Sequence, residues 1–179
     1  MLPETLLGKY CSTTAAYDAI LLHGRMVADK ALAVARRLDN GLDLPFIGEA
    51  ALLHDIGVAL VQAPHIGCHG EEPYIRHGII GREVLEREGL PRHALVCERH
   101  IGVGLTAADI VTQGLPLPPR DMVPISTEER IICFADLFFS KMPDKLEKEK
   151  SVDKVRQGLA RFAAEKAAIF DRWLEEFGE

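Results

Sequence analysis

Five polar side chains fall where apolar ones belong. His23 lies within the stripe Ile20, Val27, Ala31, and His54 follows Ile47 and Ala50 at helical spacing. His77 shares a face with Ile80 and Val84, His100 follows Val96 and Cys97, and Asp136 stands between Ile132-Cys133 and Phe139. An unpaired buried polar group costs on the order of 1–3 kcal/mol, and a lone buried carboxylate much more. Any one of these histidines alone reads as a hydrogen-bonded core residue, and Asp136 alone could pair with an arginine. Five together call for a common partner. A divalent cation is such a partner, because it accepts imidazole nitrogen and carboxylate oxygen at once. Asp55 extends the set, since it adjoins His54 at a helix end. Neighbouring helical residues point roughly 100° apart, so both reach a metal at the terminus, and Asp55 is free to bridge to a second ion.

Other candidates are weaker. His65, Cys68 and His69 sit within five positions, but a separate zinc site there lacks a fourth ligand, and a solvated loop is the better reading. His93, seven residues before His100, belongs on the helix surface or behind the ligands rather than among them. Lys141 and Lys145 follow the Asp136 helix, while Arg25, Arg76 and Arg99 adjoin candidate ligands; any of these cations can bind a substrate phosphate. Arg76 and Arg99 are equally suited to pairing with surface carboxylates. The mixed-sign run from Lys141 to Lys150 reads as a solvated face.

The elements that must carry these residues are helical. A first helix is expected from about Thr13 to Leu38, ended by Asp39-Asn40-Gly41. A short helix from Pro45 to Ile56 follows, closed by Gly57. Pro64, Gly67, Gly70 and Pro73 mark residues 63–76 as a loop. Further helices are expected over His77–Glu88, Pro91–Ile101 and Thr106–Gln113, the last capped by Thr106. Ser126 or Thr127 opens a helix carrying Ile131 to Phe139, with Pro143 beyond its end. Residues 151–177 read as one long amphipathic helix, through Val155, Leu159, Phe162, Ala163, Ile169, Phe170, Trp173 and Leu174. That helix is expected to serve packing or a homodimer face, not membrane anchoring.

A chain of 179 residues suits one domain with a real core, and 47% apolar with 27% charged residues reads as globular. A net charge of -6 argues against a general nucleic-acid binder. It leaves a small anionic substrate open, because a local cation can outweigh the overall charge. No apolar run approaches the roughly 18 residues of a membrane span, and the N-terminus carries no secretory pattern, so a cytoplasmic location is expected. The four cysteines, Cys11, Cys68, Cys97 and Cys133, are widely spaced and read as reduced, mostly core-filling residues.

The order His23, then Ala-Leu-Leu-His54-Asp55-Ile-Gly, then Phe-Ala-Asp136 resembles the HD superfamily of metal-dependent phosphohydrolases. His77 in Arg-His-Gly and His100 in Glu-Arg-His-Ile-Gly fit two further histidines that some members carry. The stretches Glu98-Arg-His-Ile-Gly, Gly114-Leu-Pro and Pro119-Arg-Asp are similar to a group of small archaeal and bacterial HD proteins. The resemblance implies an all-α fold, a single HD-domain bundle of about five to seven helices over residues 1–179, its core over 13–145. It implies a first metal on His23, His54, Asp55 and Asp136, and a second on the bridging Asp55 with His77 and His100. The loop after the doublet, with His65, Cys68, His69, Glu71 and Glu72, departs from the pattern in being longer than in the archaeal relatives, and its His69 is a candidate to substitute for His77 or to add a ligand. One or two divalent ions (manganese, iron, nickel, zinc or magnesium) are expected as cofactor, and a small phosphorylated substrate as partner. The implied activity is hydrolysis of a phosphate mono- or diester, a nucleotide among the candidates, with His54 and Asp55 as catalytic residues and Asp55 orienting or deprotonating the attacking water. Two alternatives stand beside it: an HD-fold di-iron oxygenase, which resembles this ligand pattern equally well, and a non-catalytic sensor or interaction domain.

Overall fold

The computed structural model describes residues 2–38, 41–142 and 144–178. Asp39, Asn40 and Pro143, which the sequence offers as helix stops, lie outside the described residues. Among the described residues the fold is all-α, with nine α-helices and one minimal hairpin. The helices are α1 (Pro3–Tyr10), α2 (Thr14–Leu38), α3 (Leu44–Leu53), α4 (His77–Arg87), α5 (Pro91–Arg99), α6 (Ala107–Thr112), α7 (Thr127–Asp136), α8 (Val152–Ala160) and α9 (Ala164–Phe177). That is more than the expected five to seven, for two reasons. Pro3 opens an N-terminal helix whose Leu6 and Leu7 are buried, which the sequence reading left out. The tail is also two helices, not one.

The tail breaks at Arg161–Ala163. Phe162 and Ala163 both return amide hydrogen bonds to the Leu159 carbonyl, and Ala163 is extended at φ -165°, ψ 146°. Phe162 therefore leaves the apolar stripe and is 75% exposed. The break lets α9 turn back on the core. Phe170 and Phe177 meet Phe134 of α7 at ring separations of 5.7 and 5.2 Å, and Phe134, Phe138, Phe170 and Phe177 are all essentially inaccessible to solvent. The tail thus packs within its own chain, as one of the two expected roles required.

The expected helix over Pro45–Ile56 stops three residues early. α3 ends at Leu53, His54 is its C-cap, and Asp55 sits at φ -107°, ψ 14° before a 3₁₀ turn over Ile56–Leu60. α7 likewise ends at Asp136 rather than running on to Phe139. The expected loop over 63–76 holds a two-pair hairpin, Gln62–Ala63 against Cys68–His69, and a 3₁₀ turn at Tyr74–Arg76 that runs into α4. Capping matches the expectation at Thr106, which forms a reciprocal capping box with Asp109, and at Ser126, whose hydroxyl accepts from the Glu129 amide.

Two glycines set how closely these elements approach. A Cβ at Gly24 would meet the Leu52 carbonyl at 3.0 Å, so α2 and α3 pack tightly beside His23 and His54. A Cβ at Gly57 would fall 2.0 Å from the His77 carbonyl and 2.5 Å from the Gly81 amide. The start of α4 therefore lies directly on the turn after Asp55. The thiols add ties of their own: Cys97 donates to the Leu53 carbonyl, and Cys133 to that of Arg99. All four cysteines are unpaired thiols, three of them buried. Gly57→Ala is expected to lower unfolding stability by about 3 kcal/mol, because backbone rather than a flexible side chain must move; chemical denaturation measures it, and a loss below about 1 kcal/mol contradicts this packing.

Candidate metal centre

Four backbone segments end at one place. α3 delivers His54 at its C-cap, with Asp55 one residue on. α5 delivers His100 at its C-cap, and α7 delivers Asp136 as its last residue. His77 opens α4, and His23 alone comes from the middle of a helix, α2. His23, His54, Asp55, His77 and His100 are all buried, at 4% exposure or less. Asp136 keeps 15% of its side chain exposed.

Three of the histidines are held in the same way. His54 Nδ1 lies 2.6 Å from the Ala51 carbonyl, His77 Nδ1 2.7 Å from that of Tyr74, and His100 Nδ1 2.8 Å from that of Cys97. A carbonyl oxygen only accepts, so each Nδ1 carries a proton, and in the neutral ring it is Nε2 that presents the lone pair. The Nε2 atoms converge. His77 Nε2 and His100 Nε2 are 3.1 Å apart, and His23 Nε2 and His54 Nε2 are 3.3 Å apart. Two lone pairs at that distance repel unless a proton or a cation lies between them.

Asp55 divides its carboxylate between the two pairs. Its Oδ2 is 3.1 Å from both His23 Nε2 and His54 Nε2. Its Oδ1 is 3.5 Å from His77 Nε2 and 3.4 Å from His100 Nε2. Asp136 Oδ1 completes the first half, at 2.9 Å from His23 and 3.4 Å from His54. The result is two groups sharing one residue: His23, His54, Asp55 and Asp136, and Asp55, His77 and His100. Within each group the ligand atoms lie within 4.8 Å of one another.

Lys141 closes the cluster, with Nζ 2.5 Å from Asp55 Oδ2. Burial would push the Asp55 and Asp136 carboxyls up. The Lys141 ammonium and the surrounding imidazoles outweigh it and hold both well below the usual carboxylate range. Burial would lower His54, but Asp55 and Asp136 raise it to about 10. Its Nε2 thus sits where positive charge is favoured. His77 goes the other way, to about 3, through burial reinforced by His100 and Lys141 and opposed by Asp55. It therefore stays neutral, with its lone pair available. The residues fit a divalent cation on these grounds and on one more: His23 Nδ1 and both Asp55 oxygens are buried without a directed hydrogen bond.

Tyr74 belongs to this site although the sequence reading passed over it. Its ring packs on His77 at 4.8 Å and its carbonyl fixes that histidine. Although 37% of the residue is exposed, its phenol is desolvated; burial raises it to about 12, with Lys141 opposing. A tyrosine in a Pro/Gly-rich stretch gives no periodic signal, so only the fold reveals it.

The remaining candidates go elsewhere. Arg25 pairs with Glu4 at 2.7 Å, and Arg76 with Glu72 and the Pro116 carbonyl. Arg99 grips both oxygens of Glu129, and Lys145 is an exposed neighbour of Asp144. Of the five cations considered for phosphate, the structure brings Lys141 to the cluster; each arginine is committed to a carboxylate. His65 and His69 are exposed, while Cys68 is buried in the core. No metal-type group among the described residues includes any of the three, and it is His77, not His69, that joins Asp55 and His100. His93 lies against Phe46 and Glu49, away from the ligand set.

Residues 20–139 match the HD domain family, well over half of the chain, and the chain belongs to that family. It is 34% identical over 170 residues to a tRNA (cytidine(56)-2'-O)-methyltransferase of Thermoplasma volcanium, covering 94% of this chain and 44% of that protein. A protein of the same name from Picrophilus torridus is 33% identical over 120 residues, covering 66% of this chain and 31% of its own length. An uncharacterized protein of Methanocaldococcus jannaschii is 33% identical over 136 residues, covering 74% and 70%. The chain therefore spans less than half the length of the two relatives named as methyltransferases. No solved structure matches.

A divalent ion held by this centre would be linked to folding. At a hundredfold excess over Kd it would add about 2.7 kcal/mol of stability, or roughly 5–10 °C in Tm at this chain length. Manganese or iron(II) is expected to raise the Tm of the wild type and to leave that of Asp55→Ala unmoved, since both halves of the centre lose a ligand. Equal shifts in the two proteins would count against the shared carboxylate.

Proposed function

We propose that the chain is a metal-dependent phosphohydrolase acting on a small phosphate ester. The observation that carries this reading is the split Asp55 carboxylate, one oxygen toward each of two imidazole pairs whose Nε2 atoms face inward. In this reading His23, His54, Asp55 and Asp136 hold one ion, and Asp55, His77 and His100 hold another. Bound there, divalent ions would supply Lewis-acid polarisation of a phosphoryl oxygen and make water more acidic.

The chain's own residues supply the rest. Asp55 is kept ionised by its neighbours, so it can orient water or accept its proton. The three Nδ1 hydrogen bonds to carbonyls prevent the imidazoles from rotating or changing tautomer. Lys141 brings a buried positive charge to the centre, suited to a phosphoryl oxygen as charge develops. Tyr74, held protonated well above neutral pH, can donate a hydrogen bond to a leaving or phosphoryl oxygen. Burial of the ligands excludes bulk water and strengthens each of these interactions. The unpaired thiols support a reducing, cytoplasmic setting.

The names of two relatives concern tRNA 2'-O-methylation. Methyl transfer needs no cluster of inward-facing imidazoles and carboxylates. This chain matches only part of each of those longer proteins, and we assign it no share in methyl transfer. A second reading is favoured by the same ligand set: two ions sharing a carboxylate also suit a di-iron oxygenase.

The test is turnover of phosphomonoesters and phosphodiesters by metal-loaded protein. Asp55→Ala is expected to lose roughly 10²–10⁴-fold in kcat, and Lys141→Met to raise KM for the same ester. Equal turnover in wild type and Asp55→Ala would sink the hydrolase reading. Stoichiometric iron with oxygen uptake, in protein inactive on phosphoesters, would establish the second reading instead.

A further inference from the structure

Asp136 and Lys141 reach the centre from the two ends of one short stretch. Asp136 is the last residue of α7, with Oδ1 2.9 Å from His23 Nε2. Lys141 lies beyond the helix, with Nζ 2.5 Å from Asp55 Oδ2. Between them the chain turns over residues 137–139. The amides of this turn look back: Leu137, Phe138 and Phe139 donate to the Cys133, Ala135 and Asp136 carbonyls, at 3.3, 3.2 and 3.1 Å. With α7 ended, the turn's own three carbonyls need donors from elsewhere.

Lys150 supplies all three. Its ammonium donates to the Leu137 carbonyl at 3.0 Å and to the Phe139 carbonyl at 2.9 Å. Its backbone amide donates to the Phe138 carbonyl at 2.8 Å. Phe138 and Phe139 are buried, where an unmet carbonyl is costly. A lysine at this point also faces the negative end of the α7 dipole. Burial pushes the Lys150 ammonium down from its usual range, with Asp136 opposing. A second tie runs beside the first: Lys30 of α2 pairs with Glu149 at 2.9 Å and stands 4.1 Å above the Phe138 ring.

We infer that Lys150 is a positioning residue for the centre: by holding three successive carbonyls it fixes the spacing between the Asp136 carboxylate and the Lys141 ammonium. Its bonds go to backbone carbonyls, so it acts through the turn. The helix fixes Asp136 at its last residue, while the path of the chain on to Lys141 depends on the turn. A misplacement of about 1 Å costs on the order of 10²-fold in rate. Loss of the groups that orient a metal's ligands costs roughly 10–100-fold in affinity. For Asp136 this rests on the fit of a divalent ion to the centre, and for Lys141 on the hydrolase reading.

Manganese(II) binding, measured by isothermal titration calorimetry, and Tm are compared in wild type, Lys150→Met, Lys150→Arg and Arg156→Met. Arg156 pairs with Asp153 and Asp171, at 2.8 Å each, within α8 and α9. Its loss therefore reports an ion pair removed away from the centre. Lys150→Met is expected to bind manganese about tenfold more weakly. Lys150→Arg keeps the charge and several donors, and is expected to recover affinity to within about threefold of wild type. Arg156→Met is expected to match wild type in affinity whatever its Tm. Should Lys150→Met not fold, Lys150→Gln, with a neutral donor on a shorter stem, is expected to bind more weakly than wild type in its place. At saturating manganese, Lys150→Met is also expected to raise KM for glycerol 2-phosphate about tenfold, in the direction of Lys141→Met. Wild-type affinity in Lys150→Met or Lys150→Gln, an equal loss in Arg156→Met, or no manganese binding by the wild type would overturn the inference. The expected affinity pattern with an unmoved KM overturns the Lys141 half. The same pattern with no ester turned over by any of the proteins upholds the positioning of Asp136 and removes the hydrolase reading.

Discussion

The Asp55 carboxylate is the point on which the rest of the structure depends. It is 1% exposed, faces four imidazole nitrogens and one ammonium, and has no directed hydrogen bond. A carboxylate buried in that way is unfavourable by several kcal/mol unless opposite charge surrounds it. The fold supplies that charge by bringing helix ends together. α3 must stop at Leu53 so that Asp55 can leave the helix, and Gly57 must lack a side chain so that α4 can seat His77 beside it. Each is a local feature whose purpose is visible only at the centre.

The electrostatics and the packing support each other. With Nδ1 of His54, His77 and His100 committed to backbone carbonyls, the ring orientations are fixed by helix geometry and not by the centre itself. That preorganisation leaves the Nε2 lone pairs facing one another, an arrangement that only positive charge relieves. Lys141 supplies one such charge from the segment after α7. The low-dielectric surroundings that make bare carboxylates unfavourable make a cation held there correspondingly favourable.

Much of this was legible in the sequence. Four histidines and Asp136 on apolar stripes pointed to five of the six clustered residues, because helical periodicity reports burial and buried polar groups need partners, and Asp55 followed from its place beside His54. The helix limits around α2, α4 and α5 followed from the same periodicity, to within a residue or two. The tail was misread because Val155, Leu159, Phe162 and Ala163 keep a helical phase across the break. Periodicity does not register that α9 must turn back onto Phe134. α1 escaped because its eight residues bury only Leu6 and Leu7. The cations offered for phosphate were the least legible. Arg25, Arg76 and Arg99 lie beside site residues in sequence and Lys141 and Lys145 follow the Asp136 helix, yet side-chain direction and a nearby carboxylate decide which of them turns inward.

By itself, the sequence determined that this is a helical protein with a His/Asp cluster centred on His54-Asp55, since composition, period and spacing are properties of the chain alone. The tertiary structure decided how that cluster is divided. It gave each oxygen of Asp55 to a different imidazole pair, chose Lys141 over the arginines, and recruited Tyr74. Those choices depend on distances between residues far apart in the chain, and helix packing fixes such distances where no local pattern encodes them.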